Sequence, residues 1–159
     1  MMQRREVVRI SERPDLAPIV ARWLWEAFGR GHGETLAASL ERVVACQAER
    51  GPDQSFVLLQ DGEPVGTAGF VHHDLDERPD LTPWLAGVYV VPAFRGRGLV
   101  HVLIRAVEEA AMTARIETLW LYTSAAEAIY RRAGWTTVEL LDRPGRRTAL
   151  MRRDLGRPV

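Results

Sequence analysis

Arg95-Gly96-Arg97-Gly98-Leu99-Val100 is the stretch of this chain best equipped for chemistry. It follows the apolar run Val88-Tyr89-Val90-Val91 and opens the helical pattern that continues through His101, Val102 and Leu103. A strand, an Arg/Gly turn and a helix start present unpaired backbone N–H groups at the positive end of the helix dipole, where a phosphate or diphosphate binds. Gly96 and Gly98 let such a ligand approach the main chain, and Arg95 and Arg97 add charge and forked donors. The pattern predicts a protein that holds a phosphorylated cofactor.

Two familiar phosphate loops do not fit. A P-loop needs Lys after its second Gly, and this chain contains no Lys. A dinucleotide fingerprint needs a third Gly where His101 stands, and Glu117, at about the right distance downstream, precedes a strand instead of ending one. His72-His73-Asp74 has metal-ligating side chains, but neighbours on a strand point to opposite faces and no third ligand is evident, so no metal is expected.

The elements that must position this turn are legible in outline. Val7–Ile10 reads as a strand. Leu16, Ile19, Val20, Trp23, Leu24 and Phe28 repeat at helical spacing until Gly29–Gly33 interrupts them. A second helix is predicted from about Thr35 to Glu49, with Leu36, Leu40, Val43 and Val44 on one side. Ser55–Leu59 and Pro64–Val71 flank Asp61-Gly62, a hairpin signal. A polar, acidic loop spans His72–Pro83, and Trp84–Val91 forms the next strand. Gly98–Ala114 is a helix with Leu99, Val102, Leu103, Ala106 and Val107 inward. Thr118–Thr123, Ala125–Ala133 and a closing hairpin around Pro144-Gly145 complete the order β-α-α-β-β-β-α-β-α-β-β, a mixed α/β plan.

Composition narrows the function. At 159 residues the chain suits one domain, taken as residues 1–159. Its formal net charge is zero, which argues against a nucleic-acid partner. All 21 basic residues are Arg, which excludes Schiff-base chemistry on Lys. A single Cys46 in a helical context reads as a structural thiol and precludes an internal disulfide. No 18-residue apolar run exists, so no membrane partner is expected. Met1-Met2-Gln3-Arg4-Arg5-Glu6 lacks an apolar signal core, which points to the cytoplasm.

The turn, taken with the strand before it, resembles the cofactor motif [QR]-x-x-G-x-[GA] of the Gcn5-related N-acetyltransferase (GNAT) superfamily, with Val100 standing where the family carries a small residue. A second match follows at the expected distance: Ala128-Ile129-Tyr130-Arg131-Arg132-Ala133-Gly134-Trp135 is similar to the family's A-L-Y-x-x-x-G-[FW] box. The resemblance covers residues 55–140 well and implies a single domain. Its mixed, twisted sheet would have about seven strands flanked by about four helices, with two central parallel strands that splay apart beside a bulge.

The resemblance further implies acetyl-CoA as cofactor and transfer of an acetyl group to a primary amine of a small molecule, by direct attack. A silent acyl-CoA-sensing module and a peptide N-acetyltransferase are the alternatives. In that frame the main chain of Val88, Tyr89 and Val90 would polarise the thioester. Arg95, Gly96, Arg97, Gly98, Leu99, Val100 and His101 would hold the diphosphate, the amides of Gly96 through His101 doing most of it. Tyr130 would be the general acid, being protonated at neutral pH with an ordinary pKa near ~10. Thr123 or Ser124 would replace the Asn that the family often carries ahead of this helix. His72, His73, Asp74 and Tyr122, or an ordered water, are the candidate bases. Trp25, His73, Asp74, Trp84 and Tyr122 are expected on the acceptor side, where the acids of the 73–81 loop favour a cationic amine. A homodimer is the further expected partner.

Overall fold

The computed structural model describes residues 3–156; Met1 and Met2, part of the segment searched for a signal core, and residues 157–159 lie outside them. Seven strands form one sheet: β1 (Arg5–Arg9), β2 (Gln54–Gln60), β3 (Glu63–Val71), β4 (Trp84–Val90), β5 (Thr118–Thr123), β6 (Thr136–Arg143) and β7 (Arg146–Asp154). Their spatial order is β1-β2-β3-β4-β5-β7-β6. Every neighbouring pair is antiparallel except β4 and β5. Four α-helices accompany them: α1 (Ala17–Leu24), α2 (Leu36–Ala45), α3 (Leu99–Thr113) and α4 (Glu127–Arg132).

Local signals explain most of these elements. The Asp61-Gly62 turn between β2 and β3 has φ of 52° and 83°, the mirror-image geometry that matches strand twist. Thr35 caps α2, its Oγ1 accepting from the Ala38 amide at 3.1 Å. Leu99, Leu103, Ile104, Val107 and Ala111 form the buried stripe of α3. Leu99, Leu103 and Val107 go inside as expected, whereas Val102 and Ala106 are only partly buried and Ile104 and Ala111 take their places.

The sheet separates two cores. On one face α3 packs over Phe56, Leu58, Phe70, Leu85, Leu119 and Leu121. On the other, α1 and α2 cover Val8, Ile10, Val57 and Leu59. The first predicted helix does not run through to Phe28. It leaves α-geometry at Trp25, continues as a π-helical turn over Trp25–Gly29 and tightens into a 3-10 turn over Arg30–His32. Phe28 consequently stands 50% exposed. The second helix ends at Ala45, short of Glu49, and Val44, one position round the helix from buried Val43, faces outward at 45% exposure instead of joining the core. No described helix is long and apolar enough to cross a membrane.

Candidate active site

The site begins where the sheet comes apart. Thr67 pairs with Tyr89 and Gly69 with Ala86, so β4 inserts an extra residue where β3 advances by two. The extra residue is accommodated at Gly87, whose φ of 59° is left-handed, giving a β-bulge. An isolated Gly inside an apolar strand was the available sequence signal for it. A Cβ here would lie 3.2 Å from Leu24 Cδ2, so α1 also presses on the bulge. The bulge bends β4 away from β5. The two strands share a single registered pair, Trp84 with Trp120, and beyond it their facing edges carry no ladder. The main chain of Val88, Tyr89 and Val90 borders this opening.

At its far end stands the Arg/Gly turn. Gly98 immediately precedes α3 with φ 77°, and no side chain caps the helix. Gly96 has φ 79°, and a Cβ at either glycine would meet nothing within 4 Å. The uncapped end of a fifteen-residue helix thus faces open space across two glycines, a cradle suited to a diphosphate. Leu99 is enclosed and Val100 half-buried against the α3-side core, which fixes the helix start.

Two residues of the turn sit differently from expectation. The His101 amide donates to the Gly98 carbonyl at 3.2 Å, so the usable amides lie before it. Arg95 folds back: its Nε donates to the Val90 carbonyl at 2.8 Å and its guanidinium lies 5.4 Å from the centroid of the Tyr89 ring. Arg97 covers Phe94. Arg95 therefore braces the strand end and can offer only its Nη groups to a ligand.

Following β5, α4 carries Tyr130 into the α3-side core. The residue is 7% exposed, its ring set edge-on to Trp135 with centroids 6.1 Å apart. Among the described residues nothing hydrogen-bonds its hydroxyl. Burial pushes the Tyr130 hydroxyl well above its ordinary pKa, so it remains a proton donor. Thr123 and Ser124 are already engaged: Thr123 Oγ1 accepts from the Ala126 amide at 3.0 Å, and the Ser124 and Thr148 hydroxyls lie 2.8 Å apart. In a short connection without Asn, Thr123 starts α4 this way and keeps its proton and one lone pair, while Ser124 ties the connection to β7.

The opposite face of the opening holds the expected acceptor residues, and it sorts them. Trp84 is fully enclosed, its indole donating to the Leu81 carbonyl at 2.8 Å, so it floors the region and cannot touch a substrate. Tyr122 stands edge-on upon it at 6.3 Å and is 37% exposed. Asp74 is half-buried beside it. Desolvation chiefly raises the Asp74 carboxyl to about 6, with Asp76 adding and Arg42 opposing. Burial, then the Asp74 charge, pushes Tyr122 up to about 12.

The loop carrying Asp74 is pinned by buried Leu75 and by two ion pairs to β6, Arg78–Glu139 at 2.7 Å and Arg143–Glu77 at 2.8 Å. His73 is exposed, and His72 turns toward Asp53, with Nε2 3.9 Å from Oδ2. Trp25 is half-buried, donating to the Glu34 carbonyl at 2.7 Å with Arg30 against its ring. Glu34 in turn pairs with Arg42 at 2.6 Å. Sequence reasoning missed Gly87, Arg42 and Arg143, each of which matters only through a neighbour distant in the chain.

Comparison with known proteins agrees with this architecture. The family model described as acetyltransferase (GNAT) family matches residues 17–135, and the chain belongs to that family. No curated protein matches the sequence. Among solved structures, the chain is similar to an aminoglycoside 6'-N-acetyltransferase complexed with coenzyme A, at 14% identity and TM-score 0.73, covering 97% of this chain and 99% of that one. It is similar to an acetyltransferase of the GNAT family from Streptococcus pneumoniae at 15% identity and TM-score 0.73, covering 96% and 100%. It is also similar to yncA from Salmonella typhimurium, solved with its cofactor acetyl-CoA, at 15% identity and TM-score 0.68, covering 100% and 97%. At these identities the likeness establishes the fold.

Proposed function

We propose that this acetyltransferase moves an acetyl group from acetyl-CoA to a primary amine of a small, cationic molecule by direct attack. Tyr130 serves as general acid and Asp74 as general base. The observation that carries the reading is the opening between β4 and β5 with an uncapped helix end at one extremity, and Tyr130 packs in the α3-side core to which both strands contribute. The binding of coenzyme A and acetyl-CoA by proteins of the same fold supports it.

Acetyl-CoA supplies the activated acyl group. The amides from Gly96 to Val100 hold its diphosphate at the positive end of α3. The unladdered edge of β4 offers main-chain donors to an acyl oxygen, a fixed dipole that needs no reorganisation during reaction. Tyr130 donates a proton toward a departing thiolate. Asp74, ionised above about pH 6, takes a proton from the acceptor ammonium so that its nitrogen lone pair becomes available. Tyr122 and Trp25 frame the side from which that amine approaches, and Asp76 and Glu77 in the pinned loop favour positive charge.

Thiol release from acetyl-CoA, measured across a panel of amines, tests the reading. Tyr130→Phe should lower kcat by ~10²-fold, the scale of one general acid, while leaving affinity for CoA nearly intact. Full turnover in this variant would remove Tyr130 from the mechanism. CoA binding without transfer to any amine would favour a sensing module instead.

A further inference from the structure

At the end of α4, side chains of β7, α3 and the α4–β6 connection converge. Arg153 of β7 passes under the end of α4, its Nη1 donating to the Ala133 carbonyl at 2.7 Å. Its Nε lies 3.2 Å from Glu108 Oε2 on α3. The Trp135 indole N–H faces the same carboxylate. The Arg153 Nε, Glu108 Oε2 and Trp135 Nε1 atoms are all buried, and none makes a well-formed hydrogen bond among the described residues, so Arg153 and Glu108 meet as an ion pair. The charges of Arg153 and Glu108 hold this pair together with its contacting atoms out of water, and removing one leaves the other's buried atom uncompensated.

Gly134 completes the junction. Its φ is 99°, and a Cβ there would occupy the position of Arg153 Nη1. The glycine of the Tyr130-x-x-x-Gly134-Trp135 box thus makes room for a guanidinium that arrives from β7.

The junction bears directly on Tyr130. Tyr130 rests edge-on against Trp135, and the Tyr130 carbonyl accepts from both the Ala133 and Trp135 amides at 3.0 Å. The helix that carries Tyr130 is only six residues long, so its own hydrogen bonds do little to fix its tilt. Arg153 holds its last turn and Glu108 faces the ring that backs the phenol.

We propose that Arg153, with Glu108, is a positioning residue for acyl transfer: it sets where the Tyr130 hydroxyl stands in the opening without touching either substrate. The proposal rests on Tyr130 acting as general acid. It predicts that the junction influences turnover through Tyr130 and through nothing else.

A double-mutant cycle reads this. Arg153→Met should lower kcat by ~10-fold, part of the effect of one acid–base group, with KM for acetyl-CoA changed less than twofold. In a Tyr130→Phe background the same substitution should cause no further loss of kcat, because coupled residues are non-additive. Glu108→Gln should show the same background dependence and guards against a poorly folded Arg153 variant. Arg153→Lys, which can still donate to the Ala133 carbonyl, should recover part of the rate.

Equal losses in both backgrounds would show a merely structural role and overturn the inference. So would a full kcat in both junction variants beside a crippled Tyr130→Phe, an outcome that leaves the acid assignment standing. If Tyr130→Phe itself retains full turnover, both fail together.

Discussion

Replacing Asp74 by Asn should make this protein more stable and less active at once. Its carboxyl has an ordinary pKa of 3.8 and is raised to about 6 in the fold, first by desolvation, then by Asp76, against the pull of Arg42. The distance between those values corresponds to ~3 kcal/mol. The sign follows from proton linkage. Folding favours the protonated carboxyl, so the stability associated with it is fully present below about pH 4 and is lost as pH rises through about 6. Asn carries no charge to desolvate. Asp74→Asn should therefore unfold later than the parent at pH 8, by up to ~3 kcal/mol or a Tm gain of several degrees for a domain of this size. The gain should vanish toward pH 4. Melting both proteins at pH 4, 6 and 8 measures this directly. On the same samples, kcat/KM of the parent should fall below about pH 6. The variant should be slower by ~10²- to 10⁴-fold and lack that limb. A variant less stable than the parent at pH 8 would refute the desolvation argument. A variant that kept the acidic limb would refute the role as base.

Other expectations concern the frame of the site. Gly87→Ala should cost ~1–2 kcal/mol for its left-handed backbone, and the added methyl, 3.2 Å from Leu24 Cδ2, should disturb the bulge; thermal melts with kcat assays check both. Excess CoA at a hundred times its dissociation constant should stabilise the protein by ~2.7 kcal/mol. Gly96→Asp, which sets a carboxylate at the mouth of the cradle, should abolish that shift in a thermal assay. Glu127, held down to about 2 by Arg147 and Thr137 and then Arg131, stabilises the fold above its ordinary pKa of 4.5 and loses that effect as pH falls toward 2. Glu127→Gln should thus lower Tm at pH 7, with the difference shrinking by pH 3.

The order of elements was legible because each announces itself locally: period-2 and period-3.6 runs, an Asp-Gly turn, two glycines ahead of a helix. Tyr130 and Gly134 were legible as a spaced box. What escaped depends on contacts distant in sequence. Trp84 looked like a cleft residue because Pro83 marks a loop end, yet Leu75 and Leu150 enclose it. Asp74 read as one of several candidate bases in a polar loop, and nothing in its neighbourhood says that Leu75 will anchor the loop and draw its carboxylate, rather than its neighbours', out of water. Arg95 read as a phosphate ligand, and the aromatic face that diverts it belongs to Tyr89, six residues earlier. The first helix was overextended where the apolar pattern outlasted it, at Phe28, and Val44 was assigned to the wrong side of a helix that does contain it.

The lone Trp84–Trp120 contact divides the sheet into two leaves, one built from the four strands on the β1 side and the other from the three on the β6 side. Each leaf is well laced internally, and between them there is almost no lacing. A ligand arm lying in the gap would supply to both margins the bonds that a middle strand ordinarily supplies. Such an arm would complete in hydrogen bonds a seam that side chains already span, since the core under α3 joins Phe56, Leu58 and Leu85 of one leaf to Leu119, Leu121 and Met151 of the other.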